Sequence, residues 1–176
     1  MRQRSLSAEE QESLRAYYPA LFQEGRRSVG GFPIQSAGCN LSAHTPEQRK
    51  QLFEELWARG AFNFLLGTYH DVAVDPNANR EVYNFWAEKV RARMSNPVKR
   101  DLVAPLEPIY PICTKRPPLE RDFYECLDME HVDIVDLNAN PIKTFTEHGI
   151  VLGPDDTERA FDLVVLATGF DSFTGS

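Results

Sequence analysis

Phe161-Asp162-Leu163-Val164-Val165-Leu166-Ala167-Thr168-Gly169-Phe170-Asp171 is the stretch on which the fold turns. From Leu163 to Gly169, six of seven residues are apolar or glycine, and two are β-branched valines. A continuous apolar run closed by glycine predicts a central strand covered on both faces. Gly169 accepts a positive φ and permits close approach of backbone or ligand. Ligands of open α/β sheets sit at the carboxyl ends of such strands. A core strand that merely turns is the other reading of the same residues.

Upstream of it the sequence continues in β character. Val132-Asp133-Ile134-Val135-Asp136 alternates and predicts a strand. Ile142-Lys143-Thr144-Phe145 and Ile150-Val151-Leu152 flank Glu147-His148-Gly149, a hairpin pattern, and Gly153-Pro154-Asp155-Asp156 is a turn.

The first hundred residues predict helices. Ser7 with Glu10 forms a capping box, and Leu14, Tyr17, Tyr18, Leu21 and Phe22 follow at helical spacing, as a core-packing face. Ser28-Val29-Gly30-Gly31 ends that helix; its glycine pair lacks the strand and third glycine of a dinucleotide fingerprint. Thr45-Pro46-Glu47-Gln48 starts a second helix with Leu52, Phe53, Leu56 and Trp57 inward, stopped by Gly60. A third opens at Asp75-Pro76 and turns Val82, Tyr83, Trp86, Val90 and Met94 to the core. Arg80, Glu81, Lys89, Arg91 and Arg93 read as its solvated face. Asn96-Pro97 caps a short fourth helix through Leu102, and prolines 105, 108 and 111 make an extended connector.

The 176-residue chain is long enough for one domain with a real core, and 42% apolar content is ordinary for a soluble globular protein. A net charge of −7 and a pI of about 5.1 argue against nucleic acid or an anionic membrane as the main partner. Cys39, Cys113 and Cys126 form no CxxC and read as reduced thiols of a cytoplasmic protein. His44, His70, His131 and His148 have no metal-ligand spacing. No run reaches the roughly 18 apolar residues of a membrane span.

Lys115-Arg116 lies between the proline connector and Pro117-Pro118. Adjacent cations in a stiff segment lose little entropy when positioned, which suits an anion site; a surface pair of no consequence has the same appearance. Thr114-Lys115-Arg116-Pro117-Pro118-Leu119, Phe123-Tyr124-Glu125 and Ala167-Thr168-Gly169-Phe170-Asp171 together, in this order and spacing, resemble the type I Baeyer–Villiger monooxygenases. Cys126-Leu127-Asp128 departs from the Phe-Asn-Arg that often follows in that family.

The resemblance implies an α/β fold. A helical insertion (1–111) would be followed by the C-terminal part of an NADP-binding domain (112–160) and a strand returning to the FAD domain (161–176). The fold would be an incomplete, Rossmann-like piece of a flavoprotein with two dinucleotide-binding domains. The implied reaction uses FAD, NADPH and O2 to convert a ketone into an ester or lactone through a C4a-peroxyflavin. The implied roles are Lys115 at the 2′-phosphate of NADP, Arg116 as the catalytic charge beside the flavin, and Ala167, Thr168, Gly169, Phe170 and Asp171 as the strand end beside both cofactors. Asp171 either fixes that turn or caps its own backbone. Phe123, Tyr124 and Glu125 read as packing. The family's two glycine-rich fingerprints and its Phe-x-Gly-x-x-x-His signature are not in this sequence. The expectation is therefore an enzyme fragment inactive by itself, prone to self-association through exposed sheet edges. A non-catalytic module binding NADP or a partner, and a gene remnant, are the competing readings.

Overall fold

The computed structural model describes residues 5–115 and 117–169, which fall into two compact units divided between Val132 and Asp133. Among the described residues every helix precedes every strand.

The first unit is helical. α1 (Ala8–Arg15) starts with the expected reciprocal capping box between Ser7 and Glu10, and α2 (Tyr18–Arg27) follows almost at once. The break falls where Pro19 enters the first turn of α2, lacking an N–H to continue α1. The expected core-packing face is not observed. None of α1 is buried, and Tyr17, Tyr18 and Phe22 are exposed. The break splits the helical stripe before it can meet a partner.

α3 (Pro46–Arg59) has Thr45 and Gln48 as its capping box, and Gly60 closes it at φ 70°, a left-handed value that suits glycine. A short α4 (Asn63–Leu66), not foreseen, packs against it. α5 (Pro76–Arg91) is capped by Asp75, whose carboxylate accepts the Asn77 N–H at 2.8 Å. Val82 and Val90 are fully buried on α5, as its apolar stripe predicts. Phe53, Phe64 and Phe85 stack where α3, α4 and α5 meet, with Phe85 centroids 5.3 Å from each of the other two rings. Asn96 caps α6 (Pro97–Val103) through two backbone N–H groups, and α7 (Phe123–Asp128) is a further short helix.

The second unit holds an antiparallel meander of β1 (Ile142–Phe145), β2 (Gly149–Leu152) and β3 (Thr157–Ala160). Phe145 faces Ile150 in the first pair, and Ile150 faces Arg159 in the second. The hairpin and the turn at 153–156 appear as predicted. β3 is polar in sequence and was not expected. Gly149 is required by packing, since a Cβ there would meet the Arg159 carbonyl oxygen at 1.9 Å.

Two strand expectations are corrected. Residues 132–136 join no ladder among the described residues. Residues 162–169 likewise have no ladder partner, and Leu163, Val165 and Leu166 are 79%, 75% and 72% exposed. Apolar sequence signals a preference for burial; pairing also needs a neighbouring strand, and none of the described strands supplies one.

Candidate functional site

The site of interest is a cleft of about 640 Å³ within the first unit, between α5, the proline connector and α7. Its walls are mostly apolar and aromatic, with Tyr83, Trp86, Tyr110, Phe123 and Tyr124 among them. Lys115 and Glu120 bring charge to it. Apolar walls with a few placed polar groups are the usual composition of a small-molecule site.

The connector cannot join a sheet, because its prolines give no N–H. Its carbonyls still need donors, and side chains from α5 provide them. The Arg91 guanidinium donates to the Ala104 carbonyl at 2.8 Å. The Tyr83 hydroxyl donates to the Pro105 carbonyl at 2.5 Å. Arg80 donates to the Leu106 carbonyl at 3.1 Å and forks onto the Glu107 carboxylate at 2.7 Å twice. Asn79, buried, completes the row. Its Nδ2 donates to the Val72 and Ile112 carbonyls at 2.9 and 3.0 Å, while its Oδ1 accepts the Ile112 N–H at 2.9 Å.

The far end of the cleft is held by Arg93, just past α5. Its guanidinium binds both oxygens of Glu120 at 2.9 and 3.0 Å and both oxygens of Glu125 at 2.8 and 2.5 Å. It also donates to the Arg121 carbonyl and lies 5.1 Å from the centre of the Tyr124 ring. Arg91 and Arg93 are thus not part of a solvated face, whereas Arg80 remains exposed. Arg91 and Arg93 side chains are 17% and 16% exposed, and Arg80, Lys89, Arg91 and Arg93 all pair with carboxylates. Burial pushes the Tyr124 phenol up to about 12 and raises that of Tyr83. Both hydroxyls stay neutral donors in the physiological range.

Lys115 is exposed at the cleft, and its partner among the described residues is the Tyr110 ring, 4.8 Å from Nζ. That contact steadies the ammonium without neutralising it. Two residues earlier, Cys113 has φ 73°, a costly conformation for a non-glycine residue. Ala167, Thr168 and Gly169 belong to the second unit and are exposed, Gly169 with φ 89°. Arg116, Phe170 and Asp171 lie outside the described residues.

Sequence reasoning missed Asn79 and Arg93. Each has partners 27 to 33 positions away, and no local pattern marks such pairs. It also read Phe123-Tyr124-Glu125 as packing, where Glu125 takes part in an ion pair. A grip on a dinucleotide pyrophosphate needs a strand that enters a glycine-rich turn at a helix N-terminus. Among the described residues the strands all follow the helices and pair antiparallel, so that unit is absent. The described residues therefore hold no such grip for the pyrophosphate of FAD or of NADP; the Lys115 ammonium carries the charge that a phosphate would need.

No protein-family model matches the chain. It is 37% identical, over its whole length, to the FAD-binding monooxygenase VdtE of Byssochlamys spectabilis, of which it covers 31%. It is 38% identical over 99% of its length to the cyclopentanone 1,2-monooxygenase of a Comamonas species, covering 32% of that protein. The solved structure of an oxidised steroid monooxygenase bound to NADP matches with a TM-score of 0.86 at 31% identity, over 96% of this chain and 31% of that one. The chain therefore spans about a third of the length of these relatives.

Proposed function

We propose a function that proceeds from kinship: the chain is a homologue of the flavin-dependent Baeyer–Villiger monooxygenases and matches about a third of their length. It serves as the NADP-phosphate side of such an enzyme, with FAD gripped by parts of the protein that this chain does not match. The whole enzyme takes a ketone, O2 and NADPH and yields an ester or lactone; FAD supplies the oxygen-transfer chemistry when bound. Residues 1–111 act as the helical insertion, 112–160 as the end of the NADP-binding domain, and 161–176 as the segment returning to the FAD domain.

Lys115 is the contact for the 2′-phosphate of NADP, and Arg116 is the charge set beside the reacting flavin. Thr168 and Gly169 give a close approach to the cofactors, and Ala167, Phe170 and Asp171 belong to the same cofactor-binding segment. The observation that carries this reading is the Lys115 ammonium, exposed at an apolar cleft and, among the described residues, resting on Tyr110 rather than on a carboxylate. A compact ammonium suits a phosphate, and a permanently charged guanidinium suits a developing oxyanion.

The test is binding by the purified 176-residue chain. NADP should bind more tightly than NAD, followed by tryptophan fluorescence, since Trp86 lines the cleft. Lys115→Met should reduce the preference by roughly tenfold or more, the worth of one charge-assisted contact. Equal affinities for the two nucleotides, or no measurable binding of NADP, would overturn the reading. The same chain is expected to purify colourless, and stoichiometric bound FAD would refute the assignment of the flavin grip to other parts of the enzyme.

A further inference from the structure

Lys115 lies in a stretch, 113–119, whose described residues form no helix or strand. Their geometry is set at the two ends. At one end the amide of Asn79 brackets Ile112, accepting its N–H and donating to its carbonyl. At the other, Arg93 holds Glu120 through two parallel bonds at 2.9 and 3.0 Å. Both anchors come from α5 or the turn just after it, so one rigid element fixes both ends. Asn79 and the side chains of Arg93 and Glu120 are 9%, 16% and 10% exposed, so water competes weakly for these bonds. Between the anchors Cys113 is kept at φ 73°, a conformation that persists where the surroundings over-determine it.

We propose that Arg93 is a positioning residue for Lys115: by gripping Glu120 and Glu125 together, it fixes where the ammonium meets the 2′-phosphate. This rests on the phosphate role given to Lys115 above. The planar guanidinium is required because it serves two carboxylates at once with bonds in fixed directions. A lysine in its place would keep the charge and lose the fork.

The experiment compares NADP and NAD binding for the wild-type chain, Arg93→Gln, Arg93→Lys and Lys115→Met, with circular dichroism as the check on folding. In Arg93→Gln the NADP affinity should fall roughly tenfold or more. NAD affinity should stay within about twofold, the ordinary scatter of uncoupled sites. A residue that only stabilised the fold would weaken both nucleotides alike. Arg93→Lys should lose part of the preference, and it decides the matter if Arg93→Gln fails to fold. Hydrogen exchange at 112–120 should rise in either variant while α3 stays protected. A folded Arg93 variant with the full wild-type preference overturns the proposal; if Lys115→Met loses it, the reading of Lys115 still stands. A wild-type chain with no preference overturns both.

Discussion

Asn79 is the residue on which the cleft wall depends most. It sits in a helix interior, where asparagine is a poor choice by propensity. Its side chain makes three hydrogen bonds and is 9% exposed. Removing it leaves both polar groups of the Ile112 backbone without their partner. An unsatisfied buried group costs about 1–3 kcal/mol, so Asn79→Ala should destabilise the chain by about 2–4 kcal/mol. Urea unfolding should show a lower midpoint with an unchanged slope. Asn79→Asp should be at least as harmful, because its second oxygen would face the Val72 and Ile112 carbonyls. A variant with wild-type stability would mean that water replaces the amide at no cost.

At the scale of elements, the two capping boxes look alike in sequence and differ in consequence. Thr45 caps α3, which buries Phe53 and Leu56; Ser7 caps α1, which buries nothing. Thr45→Ala should lower global stability by about 1 kcal/mol. Ser7→Ala should leave the melting temperature nearly unchanged and speed hydrogen exchange only in residues 8–15, because α1 opens locally. Equal effects on global stability would contradict this packing. The same contrast shows what the sequence could reveal. Caps, the Gly60 stop, the α5 stripe and the hairpin at 142–152 are local signals, and all appear where their residues place them. The proline connector was legible, and so was the position of Lys115 just after it in sequence. Its attachment to α5 was not, since Arg80 and Glu107 are 27 positions apart. Apolar patterning misled twice, at Tyr17 to Phe22 and at Leu163 to Leu166. It records a tendency to be buried and does not say whether a partner is at hand.

For the whole molecule, the titrating groups set stability at both ends of the pH scale. Asp128 accepts the Ser95 hydroxyl and the Ser95 and Asn96 N–H groups, which hold its carboxyl below the ordinary value; hydrogen bonds from Arg80 do the same for Glu107. A depressed carboxyl contributes stability above its unfolded pKa of about 4 and loses it as pH falls below that. Acid should therefore loosen the α6–α7 junction, and Asp128→Asn should flatten that limb. At the alkaline end the sign is reversed. Tyr69 and Tyr124 are each pushed up to about 12 by burial, Tyr69 with its hydroxyl 2.9 Å from His44 Nδ1. The unfolded chain ionises these phenols near 10, while the folded chain keeps them neutral. Stability from both is complete below about pH 10 and is lost as pH rises toward 12. One tyrosine stands in the α3–α5 core and the other in the cleft wall, so the alkaline limb reports on both regions. Tyr124→Phe keeps the ring under Arg93 and removes one titration. It should make the fall in melting temperature between pH 10 and 12 shallower, and phenolate absorbance should show one late-titrating tyrosine fewer. An unchanged alkaline limb would mean that the Tyr124 hydroxyl is open to solvent and the cleft wall is looser than its packing indicates.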